Sequence, residues 1–211
     1  MKKSFFIISF ILLSLTAFAQ ITVRPGVRGG VTISNITNGH GDANTDFYVG
    51  GYAAIKFTRF YVLQPELTYS RQGTKDFFYG IEDGYDPIID GFNSFDKDLE
   101  IQYLNFTIAN KFSPIPNTGL NFIVGPSFNI KVADNYDHQY HNITGFDFAL
   151  LAGIGYDFPF GLGIEARYNQ GLIDIFGYDF VDDYDDDDDN YFDEVYLNSY
   201  FQIGLTYTFN F

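Results

Sequence analysis

The sequence of 211 residues contains no cysteine, no tryptophan and a single methionine. Without cysteine it cannot form disulfides, so its fold depends on packing and backbone hydrogen bonds. Basic residues are also scarce, because 12 Lys and Arg stand against 27 Asp and Glu, for a net charge of −15. Binding to nucleic acid needs a basic surface, and this charge argues against a nucleic-acid partner. The length suits one domain, and 46% hydrophobic residues exclude a disordered acidic chain.

The N-terminus has the three parts of a secretory signal peptide. Two lysines precede the apolar run 5–13, and an Ala-Phe-Ala cleavage site follows at 17–19. The run is too short for a retained transmembrane helix, which needs about 20 apolar residues. We therefore predict a signal peptide over 1–19 and one barrel domain over 20–211.

From Arg24 onward, apolar residues recur at every second position, which is typical of strands with two different faces. In one of the clearest segments, an apolar row from Leu120 to Val132 alternates with a second row from Asn121 to Lys131. Eight such segments predict an all-β, eight-stranded antiparallel up-and-down barrel. Alternation alone also fits a soluble lipocalin-like barrel, whose apolar face would surround a lipid.

The lengths of the connections favour a transmembrane barrel. Outer-membrane barrels have short periplasmic turns and longer extracellular loops. Four long segments carry 22 of the 27 acidic residues, so we predict long acidic extracellular loops. The long segments lie near 35–46, 72–99, 133–145 and 172–198, and the short ones near 58–60, 113–118 and 158–161.

The charged residues of the strands fall on the polar rows, which face the lumen in a membrane barrel. Buried charges need partners there, whereas water would solvate them on a soluble barrel. Eight strands enclose a space that side chains roughly fill, so we expect ion pairs to close the lumen. A narrow gated pathway along the same residues is the alternative. The predicted lumen network contains Arg24, Arg28, Lys56, Glu66, Lys111, Lys131, Asp147, Asp157, Glu165 and Arg167.

The ends of the apolar rows are rich in Phe and Tyr, of which the chain has 25 and 17. Transmembrane barrels carry aromatic girdles at both membrane interfaces. Because the chain has no tryptophan, Phe and Tyr must form both girdles.

Several segments resemble one family. Residues 60–73, FYVLQPELTYSRQG, resemble the "LQPELxYxxxG" strand of the PorT-like outer-membrane β-barrel family. Residues 124–126 are similar to its "GP" strand, and residues 163–175 to its "RYxxGLxDI" segment. Phe106-Thr107 departs from the Ile-Pro that the family often has there. The resemblance implies an eight-stranded outer-membrane barrel and little about activity, although the family takes its name from a secretion-system component.

The segment 182–194 packs nine acidic residues into 13 positions. Its spacing places carboxylates at positions 1, 3, 5, 7 and 12 of a calcium loop. However, Asp188 stands where such a loop needs glycine, and strands replace the flanking helices. A solvated, self-repelling loop and weak Ca²⁺ binding both stay open. The candidate ligands are Asp183, Asp185, Asp187, Asp189 and Glu194.

No pattern predicts a concave, water-excluding catalytic pocket, so we expect no enzyme and no obligatory cofactor. We expect an integral outer-membrane protein of a Gram-negative bacterium, with a structural or surface-interaction role. Its partners would be outer-membrane lipid, lipopolysaccharide, the outer-membrane assembly machinery during biogenesis, and a surface protein or glycan. Two alternatives are a transport or secretion accessory and a soluble lipid binder.

Overall fold

Eight β-strands make up the described part of the chain. The computed structural model describes residues 21–37, 41–75, 98–135, 143–175 and 195–210. The strands are β1 (Thr22–Ile36), β2 (Asp42–Lys56), β3 (Tyr61–Lys75), β4 (Leu99–Phe112), β5 (Leu120–Asp134), β6 (Phe146–Asp157), β7 (Leu162–Asp174) and β8 (Leu197–Thr208). Among the described residues, no helix is long and apolar enough to cross a membrane.

The strands close into a barrel. Each strand pairs antiparallel with its neighbours in the chain, and β1 also pairs with β8. This closing seam runs from Gly26 opposite Thr208 to Ile36 opposite Asn198. The sheet therefore has no free edge, and its backbone donors and acceptors are paired within the wall. The predicted eight-stranded up-and-down barrel is confirmed.

The alternating rows of each strand face opposite sides of the wall. The apolar rows lie outside, where Val31, Leu150 and Leu205 are 45%, 50% and 53% exposed. The polar rows lie inside, where Thr32 and Asn129 are fully buried. An exterior this apolar suits lipid, because soluble monomers rarely expose large contiguous apolar patches. The lipocalin-like alternative, which needs the apolar rows inside, is therefore wrong.

The connections define two ends of the barrel. The end carrying the short connections 57–60, 113–119 and 158–161 is called the turn rim here. The opposite end, where β3 leads to β4, β5 to β6 and β7 to β8, is called the loop rim. The predicted alternation of short and long connections is confirmed for these six connections.

The connection from β1 to β2 differs from the prediction of a long segment at 35–46. Only residues 37–41 separate these strands, and Asp42 already begins β2. Polar residues such as Asn44 and Thr45 belong to the paired end of the strand, opposite Ser34 and Ile33. The prediction was wrong because the first residues of β2 are polar. Their composition resembles that of a loop, although they are paired with β1.

Aromatic side chains surround the outer surface near both rims. Near the turn rim the ring of Tyr61 packs between Phe57 and Phe112, with centroid distances of 5.8 and 5.2 Å. Toward the loop rim, Phe128 lies 5.3 Å from Phe148 and 6.4 Å from Phe146. Phe and Tyr thus form two bands at the heights where membrane interfaces are expected.

The interior is apolar at the loop rim. Six inward side chains form what we call the apolar cap, each at most 3% exposed, with Tyr196 packed against them. The apolar cap covers the polar interior below it from the loop-rim side. Its members are Ile36, Leu99, Ile101, Tyr103, Ile143 and Ile175.

Placing an arginine on the lipid-facing row tests the outward orientation. Leu205→Arg, between the outward Phe201 and Tyr207 on β8, should lower the free energy of unfolding by roughly 2–4 kcal/mol, because the bilayer interior solvates a guanidinium poorly. Val23→Arg, on the same face near the turn rim, should cost only about 0–1 kcal/mol. Reversible unfolding in urea from lipid vesicles measures both values. Equal costs at the two depths would contradict the assignment.

Candidate functional site

Six charged side chains meet inside the half of the barrel nearest the turn rim. Period-two alternation directs them inward from five strands, and the antiparallel register brings them to similar depths. We call this group the ion-pair layer. It consists of Arg28 on β1, Glu66 on β3, Lys111 on β4, Asp157 on β6, and Glu165 and Arg167 on β7.

Glu66 lies at the centre of the ion-pair layer. Arg167 contacts it with both terminal nitrogens, Nη1 at 2.8 Å from Oε2 and Nη2 at 2.7 Å from Oε1. Arg28 Nη1 also donates to Oε2, and Gln64 Nε2 donates to Oε1 at 2.8 Å. The carboxylate therefore accepts four hydrogen bonds from three strands. The paired geometry with Arg167 is the strongest form of ion pair available to a carboxylate.

Glu165 connects the centre to the turn rim. Its Oε2 lies 2.7 Å from Arg167 Nη2, and its Oε1 accepts from Lys111 Nζ at 3.0 Å. Lys111 Nζ then donates to Asp157 Oδ1 at 3.1 Å, and Asn121 Nδ2 donates to Asp157 Oδ2 at 3.1 Å. These contacts extend the chain of charges across the lumen from β1 to β6.

The ion-pair layer is electrically neutral. Three cations face three carboxylates, and all except the half-exposed Asp157 are buried. Removing charges from water costs several kcal/mol per ion unless partners compensate for it. Here each carboxylate has at least one cationic partner, so the layer crosses the lumen without a net charge.

Two tyrosines fill the lumen around the ion-pair layer. Alternation places both on the inward row of β2, but the predicted network of charged residues did not include them. The ring of Tyr52 lies over Gly26, where a Cβ would come within 2.2 Å of it. Tyr52 Oη is 2.7 Å from Thr208 Oγ1. The Tyr48 ring lies 4.9 Å from the Arg28 guanidinium. The strand register brings both tyrosines next to Arg28. Arg28 pairs with Gly50, and Tyr48 and Tyr52 flank Gly50 on the inward row of β2.

Lys131 and Asp147 lie closer to the loop rim, outside the ion-pair layer. Lys131 Nζ is 2.8 Å from Asp134 Oδ2 and donates to the Ile143 carbonyl at 2.7 Å. Asp147 is buried and accepts from Asn129 Nδ2 at 3.1 Å. It forms no ion pair with another described residue.

Arg24 and Lys56 also lie outside the ion-pair layer. Alternation places both on the inward rows, but they stand at the turn-rim ends of β1 and β2, where solvent reaches them. Within the described ranges, neither side chain has an ion-pair partner. Alternation predicts the face of a residue and not its depth, which is why the prediction grouped them with the buried charges.

The candidate calcium ligands Asp183, Asp185, Asp187, Asp189 and Glu194 lie outside the described residues. The proposed signal peptide also lies outside them. In the part of the chain that is described, no group of three His, Asp or Glu side chains is arranged to hold a metal ion.

Comparison with known proteins gives a family match. A family model described as "Outer membrane protein beta-barrel domain" matches residues 18–177, which include β1 to β7. No curated protein matches the chain.

Several solved structures are similar at low identity. One is Ail, the attachment invasion locus protein of Yersinia pestis, in complex with the heparin analogue sucrose octasulfate, at 13% identity over 89% of this chain and 99% of that chain, with a TM-score of 0.46. Neisserial surface protein A has 10% identity over 90% and 99%, with a TM-score of 0.49. OprG from Pseudomonas aeruginosa has 10% identity over 89% and 96%, with a TM-score of 0.43.

Removing the central carboxylate tests the energetic role of the ion-pair layer. Glu66→Gln should lower the free energy of unfolding by about 3–5 kcal/mol, because two buried arginines lose their shared partner. Arg24→Ala, on the same face but solvated and unpartnered among the described residues, should leave it unchanged. Urea unfolding in vesicles compares the two variants with the wild type. A Glu66→Gln protein as stable as the wild type would show that the ion pairs add nothing to stability.

Proposed function

Because the chain belongs to the family of outer membrane protein β-barrel domains, we propose that it acts as a closed barrel that strengthens the outer membrane and presents its loop rim at the cell surface. As in other such barrels, the turn rim faces the periplasm and the loop rim faces outward. The lipid-facing rows hold the protein in the membrane.

The neutral, buried ion-pair layer carries this proposal. An eight-stranded barrel has an interior just wide enough for side chains to fill. Arg167 reaches both Glu66 on β3 and Glu165 on its own strand, so its guanidinium occupies the space between them. The apolar cap adds a second obstruction toward the loop rim. Two layers of different chemistry would both have to rearrange before an ion could cross.

The loop rim supports a surface-interaction role. The connections there carry most of the acidic residues in the sequence. On the described outer wall, Arg71 pairs with Glu100 and, at 3.1 Å, with Asp46, beside the Phe47 ring. Acidic groups at this surface suit partners that bring cations with them. We propose lipopolysaccharide with its divalent ions, and a surface protein or glycan, as such partners.

Calcium at the acidic segment 183–194 forms part of the same proposal. The carboxylate spacing in the sequence supports it. A calcium titration of the refolded protein should show heat and a change in tyrosine fluorescence, and neither signal should appear when Asp185 and Asp187 are both changed to Asn. A wild-type titration without either signal removes calcium from the proposal.

A catalytic role is not proposed, since the described interior is filled by ion pairs, hydrogen bonds and the apolar cap. The finer likeness to PorT-like barrels stays a prediction that rests on the three sequence segments. The outer-membrane assembly machinery is proposed as a partner during biogenesis, because it must insert every such barrel into the membrane.

Conductance in planar lipid bilayers tests the closed barrel. The wild type should show no steady ion current, because the ion-pair layer and the apolar cap both obstruct the lumen. The double variant Glu66→Ala, Arg167→Ala keeps the layer neutral while removing its central side chains. A current that appears only in this variant would identify the ion-pair layer as the main obstruction.

Arg24→Ala is the matched control and should stay silent like the wild type. A reproducible current through the wild-type protein would contradict closure. That result would favour a transport or secretion accessory with a gated lumen.

A further inference from the structure

A second polar group lies between the ion-pair layer and the apolar cap, and we call it the middle layer. Its first branch connects β8, β3 and β4. Asn198 Nδ2 donates to Gln72 Oε1, and Gln72 Nε2 donates to Ser70 Oγ at 2.7 Å. Asn105 Nδ2 donates to the same Ser70 oxygen at 2.9 Å. All four side chains are buried.

The second branch connects β4, β5 and β6. Thr107 Oγ1 lies 2.8 Å from Ser127 Oγ, and Ser127 Oγ donates to Asn129 Oδ1 at 2.9 Å. Asn129 Nδ2 then donates to Asp147 Oδ2 at 3.1 Å. The register places Asn129 directly opposite both Asn105 and Asp147, so the three side chains form one inward row. This row brings the two branches together.

Tyr200 is buried on β8 and lies close to side chains of both branches. These are Gln72 on the first branch and Ser127 and Asn129 on the second. Side chains from β3, β5 and β8 therefore meet around Tyr200 in the lumen.

In its ionised form, Asp147 gives the middle layer a negative charge that no described cation pairs with. Its Oδ1 has no hydrogen-bond partner among the described residues, and the residue is 2% exposed. Backbone amides of Phe148, Leu172 and Ile173 approach the carboxylate, but dipoles do not cancel a whole charge. The ion-pair layer below is already neutral, and Lys131 above is held by Asp134 and the Ile143 carbonyl.

Other buried acceptors in the same layer lack donors. Asn105 Oδ1 and Asn198 Oδ1 have no hydrogen-bond partner within the described ranges. Buried polar atoms of folded proteins are nearly always satisfied, by protein, water or an ion. A buried carboxylate in the same layer as unpaired amide oxygens needs a compensating positive charge. A cation bound by oxygen atoms supplies the charge and satisfies the acceptors.

We propose that the middle layer binds a small monovalent cation of the sodium class, held by Asp147 and the neighbouring amide and hydroxyl oxygens. One carboxylate with neutral oxygens balances a single positive charge, whereas Ca²⁺ sites of useful affinity gather several carboxylates. The apolar cap and the ion-pair layer enclose this site from both ends. The cation therefore enters as the barrel folds and exchanges slowly afterwards. This inference is independent of the proposed function.

Refolding in two salts tests the proposal. Wild-type protein is refolded from urea into detergent micelles in sodium chloride or, at equal ionic strength, in N-methylglucamine chloride, whose cation is too large to enter. The thermal midpoint, followed by loss of the circular-dichroism signal of the strands, should be higher in sodium by about 3–6 °C for a concentration tenfold above the Kd. After gel filtration into sodium-free buffer, the sodium-refolded protein should retain close to equimolar sodium by elemental analysis.

Two variants separate the site from general salt effects. Asp147→Asn should have the same midpoint in both salts and retain no sodium. Asp157→Asn, which removes a carboxylate paired to Lys111 near the turn rim, should unfold at a lower temperature in both salts while keeping the sodium difference. The proposal is wrong if the wild type shows equal midpoints and retains no sodium, as a protonated Asp147 would produce. It is also wrong if Asp147→Asn keeps the sodium effect.

Discussion

The closure of the hydrogen-bonded wall between β1 and β8 is the constraint on which the rest of the structure depends. Lipid offers no hydrogen bonds, so an unpaired strand edge would leave backbone groups unsatisfied at a cost of several kcal/mol each. Eight strands can close only around a narrow interior. Closure therefore decides two things at once, because every second residue must suit lipid and the remaining residues must fill a small space with one another.

The interior meets that demand with three kinds of chemistry. Near the turn rim, charges fill the space and cancel around Glu66 and Glu165. In the middle, amides and hydroxyls form hydrogen bonds across the lumen, as between Asn198 on β8 and Gln72 on β3. At the loop rim, aliphatic side chains such as Ile101 exclude water. A filled interior of this kind suits a barrel that stabilises the envelope better than one that conducts.

Much of the fold could be predicted from the sequence, because alternation with period two distinguishes the two faces of a strand. The alternation predicted the number of strands and placed Arg28, Glu66, Glu165 and Arg167 inside the barrel. It failed where depth matters, since Arg24 shares the face of Arg28 but lies at the rim. It also missed the apolar cap, because Ile101 continues the inward row of Asn105 with an apolar residue and hides the alternation.

Electrophoretic mobility in SDS, with and without heating, tests the central claim that the wall is closed and its apolar rows face lipid. Protein from outer-membrane fractions should migrate at two different positions, because a closed barrel without free edges resists cold SDS and unfolds only on heating. A single mobility at both temperatures, with the protein soluble in the absence of detergent, would contradict the account.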